Sequence, residues 1–193
     1  GFDAAVISGV VGFVTVEFDL TPIQSGFVVA APTLSGVFGT LVIGPLSDAF
    51  GRKKVLFLIA LLYLLSAIAS AFASSYMMLV IARAAGGLAF TSLIIAPMYI
   101  AEIAPAKLRG QLVSINQLNI VVGLSAAYFA NYFILNASAS GTDWVAAWGI
   151  DTHTWRWMLG VEIVPAVVFL LALFMIPDSP RWLMNNGREQ DAH

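Results

Sequence analysis

Long apolar runs separated by short polar segments set the pattern of this chain. They fall near 1–16, 23–46, 55–73, 77–101, 111–135 and 157–176. A helix needs roughly 20 apolar residues to cross the hydrocarbon of a bilayer, and these runs match or approach that length. Lipid offers the backbone no hydrogen-bond partner, so each run must be a helix. The pattern therefore predicts an all-α membrane protein with six transmembrane helices. Pro32, Gly36, Gly39, Pro97 and Pro165 lie inside the runs and predict kinks or close helix approach, both common in membrane helices. The first run is already under way at Gly1, with no basic region ahead of it of the kind a secretory signal carries. The expectation is a first span truncated at its front.

The polar segments orient the bundle. Seven of the nine lysines and arginines (Arg52, Lys53, Lys54, Lys107, Arg109, Arg181 and Arg188) sit in segments 46–54, 102–110 and 177–193. The opposite connections, 17–22, 74–76 and 136–156, hold only Arg156. The positive-inside rule puts the basic segments and the C-terminus in the cytoplasm of a multi-pass protein of the cell (inner or plasma) membrane. Residues 1–176 then form one transmembrane bundle, and 177–193 begins a cytoplasmic helical linker.

Composition narrows the chemistry. The chain of 193 residues is 60% hydrophobic and 10% charged, against about 25% charged for ordinary soluble domains. Its net charge of −2 carries no basic excess for nucleic acid. It has no cysteine, and its two histidines, His153 and His193, lie outside the apolar runs, so no metal site is expected. A phosphate-binding glycine loop and a nucleophile–base pair are both missing, which disfavours an enzyme and a primary pump. The expectation is a transporter without cofactor, driven by a gradient.

Three ionisable residues inside the runs stand out. At 1.5 Å per residue Arg83 lies about 9 Å below the outer surface and Glu162 roughly 7–8 Å. Asp3 lies about 9–14 Å deep, taking the first helix to end at Gly9–Gly12. Alone, each costs several kcal/mol in lipid by most estimates, whereas a cluster in a wet crevice is tolerable. A carboxyl that trades an arginine partner for apolar surroundings changes its hold on a proton. Asp3 is thus a candidate proton-coupling site, Arg83 its switchable partner, and Glu162 a third member sharing the arginine. The alternatives are a static ion-pair cluster that fixes helix packing, or an arginine that snorkels to the headgroups.

Between the second and third runs stands Gly44-x-x-x-Asp48-x-x-Gly51-Arg52-Lys53. Asp48 and Arg52 are four apart and could pair, while Gly51 suits a tight turn; a solvated turn is the plain alternative. This segment resembles the inter-span signature of the major facilitator superfamily. GFDAAVISG at 1–9, PMYIAEIAPAKLRG at 97–110, WRWMLG at 155–160 and PDSPRWL at 177–183 resemble motifs of its sugar porter branch, and within it the bacterial xylose–proton symporter type. Two positions depart from the pattern. Ala49 replaces a usual basic residue, and Asp178 replaces the usual glutamate.

The resemblance implies the N-terminal half of a twelve-span fold built as a 3+3 inverted repeat. A second six-span half would be a covalent continuation or a partner chain. It also implies sugar–proton symport by alternating access, with a monosaccharide and H+ as partners. A facilitator without proton coupling and a sugar-binding or sensing half-module remain as alternatives. Gln117 corresponds to the glutamine that contacts sugar in the family, and its amide suits sugar hydroxyls. Leu124 shares its helix face, and Phe2, Phe27 and Phe90 could stack on a pyranose ring. The resemblance further implies a cytoplasmic gate built from Gly44, Asp48, Gly51, Arg52, Glu102, Arg109, Asp178 and Arg181, a latch broken and remade as the cavity opens.

Overall fold

The computed structural model describes residues 2–177, 180–187 and 190. Every regular element among them is helical. In chain order these are α1 (Phe2–Glu17), α2 (Pro22–Phe50), α3 (Arg52–Ala71), α4 (Tyr76–Gly87), α5 (Ser92–Ile103), α6 (Arg109–Ala139), α7 (Asp143–Ala147), α8 (Thr154–Val161), α9 (Ile163–Leu173) and α10 (Pro180–Asn185). A 3-10 stretch, Leu88–Thr91, joins α4 to α5 into one rod, and α8 with α9 makes another. Five rods (α2, α3, α4–α5, α6 and α8–α9) are long and apolar enough to cross a membrane. The sixth expected span is α1, which has 16 residues and falls short of a full crossing.

Local sequence explains the rod ends. At the start of α2 the Thr21 hydroxyl accepts from the Gln24 N–H (3.3 Å), and the Gln24 side chain accepts from the Thr21 N–H (2.9 Å). This reciprocal cap is followed by Pro22 at the first helical position, where a missing N–H costs nothing. The polar turn expected from Gly44 to Lys54 is much shorter than its composition suggests. α2 runs on through Gly44 and Pro45 to Phe50, Gly51 alone breaks the rod, and α3 starts at Arg52. Gly51 adopts φ +95°, a conformation that side chains other than glycine's rarely take. Between α8 and α9 the break falls on Glu162, whose N–H reaches Leu159 rather than continuing the regular ladder. Pro165 is the physical cause: it has no N–H, and its ring crowds the carbonyl four residues back.

One expectation about α1 is overturned. The helix does not end at Gly9–Gly12 but continues unbroken to Glu17. Asp3 therefore stands about 21 Å from the far end of α1, not 9–14 Å. Gly9 is there for proximity rather than flexibility. A Cβ at Gly9 would lie 2.5 Å from the Asn131 side-chain nitrogen, which donates to the Val6 carbonyl (3.0 Å). Of the expected linker 177–193 the structure describes α10, a short helix; residues 178, 179, 188, 189 and 191–193 lie outside the described set.

The rods pack closely through small residues. A Cβ on Gly87 would come within 2.1 Å of the Pro32 carbonyl oxygen, and the Ser35 hydroxyl donates to the Ala84 carbonyl (2.6 Å). Such contact through small residues is how membrane helices gain van der Waals energy without a hydrophobic drive. Two apolar clusters result. One gathers Val6 and Val10 of α1, Val28, Ala71, Leu79, Met158 and Leu159. The other, nearer Gly51, gathers Ile43, Val55, Ile59, Ile95, Tyr99 and Leu173. Along each of α3, α4–α5 and α8–α9 a polar residue falls between the two clusters: Tyr63, Arg83 and Glu162. That seam is where the candidate chemistry collects.

Candidate functional site

The seam holds Asp3, Arg83 and Glu162 together, all buried. An Arg83 terminal nitrogen lies 3.6 Å from Asp3 Oδ1, and Arg83 Nε donates to the Val28 carbonyl at 2.8 Å. The Glu162 carboxyl faces both Asp3 and Arg83, and the Tyr63 hydroxyl donates to its Oε1 at 3.0 Å. Four helices and the α8–α9 joint thus each supply one group. The second oxygen of Asp3, Oδ2, is buried without an N–H or O–H donor, and the Glu162 carboxyl lies against Asp3. A buried carboxylate is costly unless its lone pairs are filled, so this oxygen is the least satisfied point of the cluster.

Near Gly51 a second group of charges forms. Arg52 contacts Asp48 at 2.5 Å and Glu102 at 3.1 Å, and it also reaches the buried Ser47 hydroxyl at 3.3 Å. The Asp48–Arg52 pair closes across the Gly51 break, not along a continuous helix. Trp182 of α10 lies over this turn. Its indole nitrogen donates to the Asp48 carbonyl (2.9 Å), its ring would meet a Cβ on Gly51 at 3.1 Å, and Lys54 sits 5.9 Å from the ring centre. The Tyr99 hydroxyl donates to the Pro177 carbonyl just before α10. Of the eight residues expected at the gate, Asp48, Gly51, Arg52 and Glu102 meet at this turn. Arg109 turns to the Ala104 carbonyl (3.4 Å) instead of a carboxylate, because it starts α6 on the exposed side of the turn. Arg181 is exposed; a Cβ on Gly44 would meet nothing within 4 Å; Asp178 lies outside the described residues.

Whole-chain comparison decides the family. The profile described as "Sugar (and other) transporter" matches residues 1–193. The chain belongs to this sugar transporter family. It is 44% identical over its full length to an arabinose-proton symporter of Bacillus subtilis. It is 37% identical to a D-xylose transporter of Levilactobacillus brevis and 36% identical to a galactose-proton symporter of Escherichia coli. The chain spans 40%, 39% and 38% of the lengths of these relatives. Among solved structures it resembles the major facilitator superfamily proton:xylose symporter XylE bound to 6-bromo-6-deoxy-D-glucose, with a TM-score of 0.87 at 35% identity, covering 99% of this chain and 44% of that one. A partially occluded inward open form of XylE from E. coli gives 0.86 at 34% identity, covering 99% and 48%. The fold is thus that of this superfamily's sugar porters, which are integral membrane proteins.

For a sugar porter chain, the expected substrate residues are dispersed. Gln117 is exposed on α6. Leu124, two turns on, packs against the same apolar cluster that buries Phe2. Phe27 is 50% exposed. Phe90 lies against α2, where a Cβ on Gly36 would sit 3.3 Å from it, so it serves helix packing. A cavity of about 570 Å3 opens at the end of the bundle far from Gly51, between Ala71, Phe72, Arg156 and Ile163. None of the expected substrate residues lines it. At that same end, one polar group escaped the pattern of runs: Glu17 accepts from the Trp155 indole and lies 3.8 Å from Arg156, which also donates to the Ala71 carbonyl (3.2 Å). Tyr63 was equally hidden. Its only signal is a hydroxyl in the middle of an apolar run, indistinguishable in one dimension from a packing tyrosine.

Proposed function

We propose that this chain forms one half of a monosaccharide–proton symporter that works by alternating access. The observation that carries this reading is the buried meeting of Asp3, Arg83 and Glu162 between two apolar clusters. One guanidinium facing two carboxyls leaves one charge unbalanced, and a bound proton cancels it. In low dielectric that balance matters far more than in water. Asp3 is the proton-exchanging group, since its Oδ2 is unfilled and its arginine contact is long enough to part. Arg83 is the switchable partner, and Glu162 takes up the arginine when Asp3 is protonated. A proton loaded on one side and released on the other drives the sugar with no cofactor beyond the gradient.

The names of the relatives support a pentose or hexose as cargo. Gln117 is the residue assigned to its hydroxyls and the half-exposed Phe27 to its apolar face, while Phe2, Phe90 and Leu124 pack within this half. The remaining binding groups come from a second six-span half, covalent or separate. α6 supports that partner: of its 31 residues only Ala127 and Asn131 are buried. Counting α1, the chain crosses the membrane six times as a 3+3 inverted repeat over 1–176, with 177–193 opening the linker between halves. The concentration of Arg52, Lys53, Lys54, Lys107 and Arg109 at one end supports a cytoplasmic placement for that end and for the C-terminus. There Arg52, Asp48, Glu102 and Trp182 act as the latch that opening must release.

The test uses the chain completed by a second half, reconstituted in liposomes under an inward proton gradient. Uptake of labelled arabinose, xylose and glucose is compared for the unaltered protein and Asp3→Asn. The expected result is concentrative uptake of at least one sugar, reduced to simple equilibration by the substitution. Equal, merely equilibrating uptake in both leaves a facilitator and ends the coupling assignment. Sugar binding without any flux leaves a sensing module.

A further inference from the structure

A hydroxyl embedded among apolar helices is costly unless it is bonded, and phenylalanine fills the same space without that cost. Tyr63 nevertheless stands in the middle of α3, and its hydroxyl reaches across to α8–α9 to bond Glu162 Oε1 at 3.0 Å. The charged and titratable groups that face it are Glu162, Asp3 and Arg83, from the α8–α9 joint, α1 and α4 respectively. None of the family motifs in this chain includes it.

We propose that Tyr63 is a positioning residue for proton coupling, which it secures by anchoring one oxygen of Glu162 so that Glu162 does not take Arg83 from Asp3. This rests on the symport reading above. Two carboxyls compete for one guanidinium, and the nearer and better oriented one wins it. Arg83 Nε is already taken by the Val28 carbonyl, and the Asp3 contact is long, at 3.6 Å. A Glu162 freed from Tyr63 turns its carboxylate onto Arg83 and draws the arginine away from Asp3 in every conformation. Asp3 then binds and releases its proton without regard to which side is open. Sugar still crosses, but the proton no longer drives it.

The experiment compares Tyr63→Phe and Asp3→Asn in the completed protein in liposomes, with two readouts. The first is steady-state accumulation of labelled arabinose or xylose under a proton gradient. The second is sugar exchange with no gradient, which needs no net proton movement. Tyr63→Phe is expected to lower accumulation about tenfold, the scale of one lost hydrogen bond to a charged group, while exchange stays within about twofold. Accumulation equal to that of the unaltered protein overturns the proposal. So does a parallel loss of accumulation and exchange, because a purely structural role lowers both. Asp3→Asn separates this failure from that of the symport reading. If Asp3→Asn also accumulates sugar normally, the coupling assignment itself falls; if it only equilibrates while Tyr63→Phe accumulates, Tyr63 alone is excluded.

Discussion

Arg83 and Arg52 are built from the same parts and behave as different devices. Each arginine faces two carboxyls, Asp3 and Glu162 in one case and Asp48 and Glu102 in the other. At Arg52 both contacts are short, and the Asp48 side chain is 70% exposed. Arg52 and Glu102 are nearly buried, but water and salt reach the Asp48 end and dilute the extra negative charge there, so the arrangement is a clasp. At Arg83 the contact to Asp3 is long, at 3.6 Å, and the arginine's Nε is diverted to a backbone carbonyl. Glu162 is held by a tyrosine instead, and no solvent is at hand to dilute the charge. A loose, unbalanced and dry cluster suits the proposed proton switch; a tight one open to water at its Asp48 end holds a turn. Access to water and slack in the geometry separate the proposed switch from the clasp, although the residue types match.

The contrast is sharpest for the arginines themselves. Arg83→Met leaves two buried carboxyls without a cation and is expected to cost about 3–5 kcal/mol of stability, read as a lowered thermal midpoint in detergent. Arg52→Met is expected to cost less, since of its two carboxyls Asp48 relaxes into water and Glu102 alone is buried; equal losses at the two sites would remove the distinction. Next in size is Gly51→Ala. It forces a side chain into φ +95° against the Trp182 ring and is expected to cost about 1–3 kcal/mol, and the indole of Trp182 should report its displacement by a fluorescence shift. An unchanged midpoint and spectrum would mean the turn does not rely on that conformation. Asp48→Asn is the smallest: an exposed pair is worth less than about 1 kcal/mol, and the loss should vanish as salt rises. A salt-independent loss there would make the Arg52 group resemble the buried cluster after all.

Much of this was legible in one dimension. The apolar runs identify the rods because a bilayer leaves the backbone no other choice, and ionisable residues inside such runs identify the seam because each is too costly to stand alone. Rod ends were harder. The Gly44–Lys54 segment reads as a loop by composition, yet α2 continues through Gly44 and Pro45 because only Gly51 must leave helical geometry. Gly9 and Gly12 read as a flexible stop, yet α1 passes through them, and Gly9 makes room for Asn131 of α6. A glycine's sequence neighbours do not say whether it serves bending or close approach.

The sequence by itself determined the helical class, the membrane environment, the family and the three charges at the heart of the bundle. Each of these depends on local composition or on motifs contiguous in the chain. Tertiary structure alone decided that Glu162 answers to Tyr63, that Arg83 divides its donors between Val28 and Asp3, and that Trp182 covers the Gly51 turn. It also decided that Glu17 caps the far end with Trp155 and Arg156. Those contacts join residues 55 to 139 positions apart, and hydrogen bonds are too short-ranged and directional for periodicity to specify across such gaps.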